Sequence, residues 1–199
     1  MTAKVQILPR AAIRGIGGGL LMMALFTMMW TEIAQGGLQQ HDHHMVLILF
    51  STFSLLFVAY GIAIFLAANR FPKFTSERDV AEGKDMTKWF GIIFGIEGTA
   101  IPLVSVILLF TGHQQYTLPA IALIIGLHFY PMAKVFDRKV DCCVATWTCL
   151  VAIGSIFMTA GNNYSQTFTL SILGIGVALA TSTYGFYMLF TGYNYVKKQ

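Results

Sequence analysis

Six apolar segments of about 20 residues constrain the fold of this chain more than any other feature of its sequence. A helix of that length crosses the hydrocarbon core of a bilayer. Lipid offers no hydrogen-bond partners, so a segment that spans it must be a helix or part of a closed barrel, and barrel strands show alternating runs of only about 10 residues. The sequence therefore predicts an all-α integral membrane protein.

The composition agrees with this class, because 56% of the 199 residues are hydrophobic and only 11% are charged. A soluble domain has about 25% charged residues. We predict one membrane domain over residues 1–199, with six transmembrane helices arranged as three sequential hairpins. The expected spans are 15–35, 45–68, 88–111, 117–136, 142–160 and 168–192, with a polar cytoplasmic loop at 69–87.

All thirteen Lys and Arg residues fall on one side of this predicted topology. They lie before the first span, after the last span, or in and next to the second and fourth connections: Lys4, Arg10, Arg14, Arg70, Lys73, Arg78, Lys84, Lys88, Lys134, Arg138, Lys139, Lys197 and Lys198. Short basic connections stay in the cytoplasm, so both termini are predicted to be cytoplasmic. This orientation accounts for the net charge of +4. The expected partner is therefore the lipid bilayer, and no nucleic-acid partner is predicted.

Glu97 is the only acidic residue that lies deep within a predicted span. It follows Lys88 by nine residues, which is about 13–14 Å along a helix and close to the middle of a hydrocarbon core about 30 Å thick. A carboxylate at that depth costs at least about 2.5–3.5 kcal/mol on insertion scales, and by default it indicates a functional site. Glu97 is predicted to bind a proton or a small cationic ligand.

His128 is the only histidine within a predicted span and is the expected partner of Glu97. It precedes Lys134 by six residues, or about 9 Å, so in the neighbouring antiparallel span its depth is within about one helical turn of Glu97. Three tyrosines are predicted to complete the ligand- or proton-binding site: Tyr60, Tyr130 and Tyr184. The alternative is a structural Glu97–His128 pair that only fixes the packing of two helices.

Glycines and prolines flank both members of this predicted pair. Gly91, Gly95 and Gly98 recur at intervals of four and three residues, a spacing that lets two helix backbones approach closely. Pro102 has no N–H to donate, so a kink is expected there, and Pro131 plays the same part beside His128. Interrupted helices that carry polar groups at one depth indicate a binding site.

A group of histidines lies in the connections on the side without basic residues. The candidate metal ligands are His41, Asp42, His43 and His44, together with His113 in the next outer connection. Imidazole and carboxylate groups are ligands of Zn or Cu, but no spaced ligand pair such as H-E-x-x-H accompanies them. A solvated polar turn is the preferred interpretation and a Zn or Cu site the alternative. No other cofactor is predicted.

The functional hypotheses depend on the pair within the spans, because the chain contains no recognisable catalytic motif. A non-enzymatic role is favoured, and an intramembrane enzyme that uses Glu97 and His128 as acid and base is left open. The leading hypothesis is a small carrier or ligand-binding protein in which Glu97 and His128 bind a proton or a small cation. The alternative is a non-transporting accessory, immunity or sensor protein in which the pair is structural.

The stretches FGIEG and GLHFYPMAK resemble small multi-span bacterial membrane proteins of unassigned function. This resemblance implies no activity or site for the chain. The expected location is the bacterial cytoplasmic (inner) membrane. The sequence leaves open whether the protein forms a homo-oligomer.

Overall fold

The computed structural model describes residues 9–39, 41–73, 77–161 and 163–197, and those ranges contain helices and turns but no β-strand. The long helices are α1 (Arg10–Leu38), α2 (Met45–Ala67), α3 (Glu77–Phe110), α4 (Thr117–Phe136), α5 (Lys139–Ala160) and α6 (Gln166–Lys197). Single 3-10 turns at Ala68–Arg70 and Gln114–Tyr116 adjoin α2 and α4. Six helices are long and apolar enough to cross a membrane. The prediction of an all-α chain with six long apolar helices is confirmed.

The third helix is longer than the predicted third span. α3 begins at Glu77, inside the predicted loop 69–87, although its membrane-crossing part begins only at Gly83. The first residues of α3 include Glu, Arg, Ala, Lys and Met, which favour helix without requiring an apolar environment. The predicted loop 69–87 was defined by its polar residues, whereas the start of α3 depends on helix propensity. The helix therefore begins before the predicted loop ends.

The pair formed by α1 and α6 lies at the centre of the bundle, and α6 is the most buried of the six helices. Small residues let the two backbones approach closely. A Cβ added at Gly37 would lie only 2.5 Å from the backbone nitrogen of Ser171, and one at Gly174 would overlap the backbone of α1. The hydroxyls of Thr27 and Thr181 form a buried hydrogen bond of 2.9 Å between the same two helices. In lipid, close packing and hydrogen bonds of this kind hold helices together.

Two hydrophobic clusters fill the interior, one toward each end of the bundle. The first includes Ile13, Leu20, Phe57, Phe129, Val144 and Met188. The second includes Trp30, Phe50, Ala122, Leu173 and Val177.

The first cluster lies toward the end that bears the start of α1, the end of α2 and the α4–α5 turn. We call it the basic end, because Arg10, Arg70 and Arg138 are found there. Arg10 joins two helices at this end by donating from Nη2 to the carbonyl oxygen of Asn69 at 3.0 Å and from Nε to that of Phe71 at 3.2 Å. These bonds join the start of α1 to the segment that follows α2, at the end of the hairpin opposite its connecting turn.

The remaining helices extend from this centre in the order α5, α4, α3. Gly126 permits the contact between α4 and α5, because an added Cβ would lie 2.7 Å from Sγ of Cys149 and 3.0 Å from its backbone nitrogen. α3 is the least buried of the six helices, and α4 is the long helix along which it packs. Side chains of α3 are therefore sheltered mainly where they face α4, as at Ile93.

The adjacent glycines Gly36 and Gly37 allow a direct test of the α1–α6 contact. Gly37→Ala should lower the free energy of unfolding by about 1–3 kcal/mol, because the new methyl group overpacks a rigid interface. Gly36→Ala is the matched control, since an added Cβ there meets no atom within 4 Å. Thermal unfolding in detergent measures both. An equal effect of the two substitutions would show that α1 and α6 do not approach at Gly37.

Candidate functional site

Glu97 and His128 lie side by side where α3 packs along α4. Nδ1 of His128 is 3.3 Å from Oε2 of Glu97. The His128 side chain is 9% exposed and the Glu97 side chain 11% exposed, although α3 as a whole is poorly covered. Both residues occupy the sides of their helices that face each other. The proximity expected from their depth in the sequence is therefore present in the structure.

The two atoms that form this contact lack other hydrogen-bond partners, and this determines its chemistry. Within the described residues, neither Oε2 of Glu97 nor Nδ1 of His128 has a hydrogen-bond partner, and their separation is slightly longer than an ordinary N–H···O bond. Burying an ionised carboxylate without donors is costly, and so is burying an unpaired imidazolium. A proton held between the two atoms satisfies both, as an acid beside an imidazole or as a carboxylate beside an imidazolium.

Aromatic rings surround the imidazole of His128. The ring of Phe129 stacks on it with centroids 4.3 Å apart, and the ring of Phe94 on α3 lies at 5.5 Å. Phe90 packs on Phe94 at 4.3 Å. These rings exclude water from the pair, which strengthens any electrostatic interaction between Glu97 and His128.

The glycines of α3 were expected at a contact between two helices, but they lie on an exposed face of α3. An added Cβ at Gly91, Gly95 or Gly98 would meet no atom within 4 Å, so these residues line an exposed face of the helix and bring no other helix of this chain close. The prediction that they mediate a close approach within the chain is wrong. The 4- and 3-residue spacing identified a common helix face correctly, but spacing alone does not reveal which face packs against α4.

The prolines do not interrupt the helices. α3 is helical from Glu77 through Pro102 to Phe110, and α4 is helical through Pro131 to Phe136. The expectation of two interrupted helices at the site is therefore wrong, whereas the expected kinks at Pro102 and Pro131 stay predictions. The helix on either side of each proline supplies enough hydrogen bonds for the helical path to continue past the missing N–H.

The three predicted tyrosines have different surroundings. Tyr184 on α6 is buried, and its ring lies 5.5 Å from that of Phe129, on which His128 stacks. The Tyr130 hydroxyl is instead 3.0 Å from that of Thr146 on the exposed side of α4 and α5. Tyr60 is exposed on α2, whose packing partners are α1 and α6. The structure thus places only Tyr184 near the pair, with one phenyl ring between them.

The histidine segment 41–44 forms a hydrogen-bonded turn between α1 and α2. Asp42 accepts bonds of 3.0 Å from Nε2 of Gln35 and from the backbone N–H of Val46, and one of 3.3 Å from the N–H of His44. These donors hold the pKa of the Asp42 carboxyl below its ordinary value, and the N–H of Val46 has the largest effect. Nδ1 of His41 donates to the carbonyl oxygen of Leu38 at 2.7 Å. The carboxylate thus acts as a cap for the start of α2.

The described ranges contain no group of three or more His, Cys, Asp or Glu side chains arranged to hold a metal ion. A Zn or Cu site at His41, Asp42, His43, His44 and His113 therefore stays a prediction.

Sequence reasoning did not single out Asp141, which immediately precedes the predicted fifth span 142–160. The side chain is fully buried at the start of α5. One sequence signal could have found it: Asp141 continues a helical stripe of small buried residues on the face of α5 that points inward, namely Ala145, Thr148, Ala152 and Ser155. A position that fits the 3.6-residue period of a buried face is itself expected to be buried.

Comparison of the chain with family models, with curated proteins and with solved structures found no match. The functional assignment therefore depends on the site geometry.

Asp42 provides a pH-dependent test of the turn between α1 and α2. Asp42→Asn should lower the melting temperature in detergent at neutral pH, because the amide has one acceptor oxygen where the carboxylate has two. A depressed pKa contributes stability above the ordinary Asp value of about 3.9 and loses it as the pH falls through the lower folded value. The difference between wild type and variant should therefore shrink on strong acidification.

The matched control is Asp137→Asn, which removes one exposed carboxylate at the basic end, where the left-handed backbone accepts Asn. A difference between wild type and Asp42→Asn that is constant with pH would contradict the capping role.

Proposed function

We propose that the chain is a small carrier or ligand-binding protein of the bacterial cytoplasmic membrane, in which Glu97 and His128 bind a proton or a small cation. The observation that carries the proposal is the 3.3 Å contact between two sheltered ionisable side chains. The proposal keeps the orientation favoured by the basic residues, with both termini cytoplasmic. The proposed partner of the six helices is the lipid bilayer that surrounds them.

The size of the ligand follows from the contact distance. A gap of 3.3 Å between Nδ1 and Oε2 accommodates a proton after a small movement, because hydrogen bonds of this type measure about 2.7–3.2 Å. A dehydrated monovalent cation would have to displace the imidazole from the carboxylate. A larger molecule would have to separate α3 from α4. The geometry therefore favours a proton over any other ligand.

Because the charge of the Glu97–His128 pair depends on its protonation, protons and cations would compete for binding to it. With one proton the pair is neutral, and with none it carries the charge of the Glu97 carboxylate. Since a net charge within the membrane is costly, loss of that proton favours replacement by a small cation. Such an exchange is the simplest way in which this site could couple a cation to a proton.

The structural alternative is favoured by a different observation. α3 packs mainly along α4, and the Glu97–His128 contact joins those same two helices. A pair that only attaches α3 would suit a non-transporting accessory, immunity or sensor protein. The two functions differ in whether the proton on the pair exchanges during activity.

Proton flux into proteoliposomes tests the carrier function. With an inside-negative potassium diffusion potential and a pH-sensitive dye in the lumen, wild-type protein should acidify the vesicles faster than protein-free controls. Glu97→Gln should reduce the rate to that of protein-free vesicles, because the amide cannot release a proton.

Glu32→Gln is the matched control, since it changes an exposed acid of α1 and should leave the flux unchanged. The assay is repeated with an imposed sodium gradient in place of the potential. Flux that is equal in wild type and Glu97→Gln under both conditions would contradict the carrier function and support the structural alternative.

A double-mutant cycle measures the contact itself. Glu97→Gln and His128→Phe, alone and combined, should give a coupling energy of about 0.6 kcal/mol, and at most about 1.7 kcal/mol, for unfolding in detergent, the average and the maximum for polar contacts between membrane helices. The phenyl ring retains the stacking with Phe129 and removes both nitrogens. A coupling energy near zero would show that the two side chains do not interact, and both functions would then lose their basis.

A further inference from the structure

Asp141 is a fully buried carboxyl group that the proposed function does not use. It lies in the first turn of α5 with no exposed surface. Within the described residues, neither Oδ1 nor Oδ2 has a hydrogen-bond partner. Because a carboxylate has about four acceptor positions, a buried one without any donor requires an explanation.

Two polar groups from neighbouring elements act electrostatically on this carboxyl group, the Tyr184 hydroxyl of α6 and the Arg138 guanidinium of the α4–α5 turn. The backbone N–H of Asp141 itself donates to the carbonyl oxygen of Arg138 at 3.2 Å. Tyr187 lies beyond, with its ring centroid 6.2 Å from that of Tyr184. The other charged side chains of the turn, Asp137 and Lys139, are exposed.

The guanidinium is directed to the tyrosine. Nη1 of Arg138 donates to the Tyr184 hydroxyl at 3.3 Å, and the guanidinium carbon lies 4.8 Å from the centre of the Phe136 ring. Arg138 therefore offers charge in the neighbourhood of Asp141 but no hydrogen bond. A buried anion is stable only when donors also satisfy its oxygens, whereas a protonated acid is neutral and has a single O–H group that needs one acceptor.

We propose that Asp141 is a second proton-binding site, at the basic end of the bundle and separate from Glu97–His128. The carboxylate accepts a proton from hydronium, leaving water, and becomes a neutral acid. On release, the proton returns to water and the Asp141 anion is held by the charge of Arg138 and by the Tyr184 hydroxyl. Arg138 is only partly buried, so its movement opens the route to water.

One phenyl ring, that of Phe129, contacts His128 of the first site and Tyr184, which neighbours the second. Phe129 stacks on His128 at 4.3 Å and makes an edge contact with Tyr184 at 5.5 Å. Phe129 is buried and offers no group that transfers a proton. The two sites are therefore expected to titrate as separate groups, and the Asp141 site does not require that Glu97 transport anything.

Infrared difference spectra of the full chain in proteoliposomes, recorded between mildly alkaline and mildly acidic buffer, test the proposal. Wild-type protein should show a carboxylic acid C=O band on acidification that is lost in Asp141→Asn and retained in Glu97→Gln. Asp137→Asn, which changes the exposed acid of the same turn, should also retain it. If all acid bands persist in Asp141→Asn, Asp141 does not take up a proton in this range and the proposal fails.

Tyr184→Phe gives an independent result if Asp141→Asn does not fold. Removing the hydroxyl that faces Asp141 should shift the frequency of the same band without abolishing it, because the C=O stretch responds to its hydrogen-bonding environment. A spectrum identical to that of wild type would show that the titrating acid is not beside Tyr184 and would overturn the assignment. Loss of flux in Glu97→Gln has no bearing on either result.

Discussion

The close approach of α1 and α6 is the interaction on which the rest of the bundle depends. In lipid, burial of apolar side chains provides little net driving force, so helices associate where their backbones come close and where polar groups bond across the interface. Gly37 and Gly174 provide the first condition, and the Thr27–Thr181 hydrogen bond provides the second. Helix α2 then packs on α1 and, less extensively, on α6, α5 packs on α6, α4 packs on α5, and α3 packs on α4.

This arrangement places the candidate site at the edge of the bundle. Glu97 lies on the least buried helix, yet its side chain is almost as well sheltered as that of His128 because both face the α3–α4 contact. The site thus combines a low-dielectric environment with a helix that few contacts restrain. Asp141 lies instead in the closely packed interior, on the inner face of α5 beside α6, the most buried helix. Two ionisable positions of one chain therefore differ in how much packing resists their movement.

Several parts of this arrangement could be predicted from the sequence because they depend on one-dimensional quantities. Length and polarity of a segment specify a membrane-crossing helix, and the distance from a basic end specifies depth, so Glu97 and His128 were expected at similar levels. The direction of a side chain around its helix depends on which helices are neighbours. For this reason Gly91 and Gly95 were expected at a close helix contact, although their face of α3 is exposed. For the same reason the burial of the Asp141 side chain was not anticipated.

The sequence by itself determined that this chain forms six apolar helices and that one acid and one histidine lie at matching depths, because backbone hydrogen bonding in lipid allows no other use of such segments. Only the tertiary structure decided that Tyr184 and not Tyr130 or Tyr60 lies behind the pair, and that Arg138 turns toward Tyr184 while Asp141 is buried without a donor. These features depend on the order in which the helices pack, and that order follows from close contacts at single small residues, which hydropathy does not record.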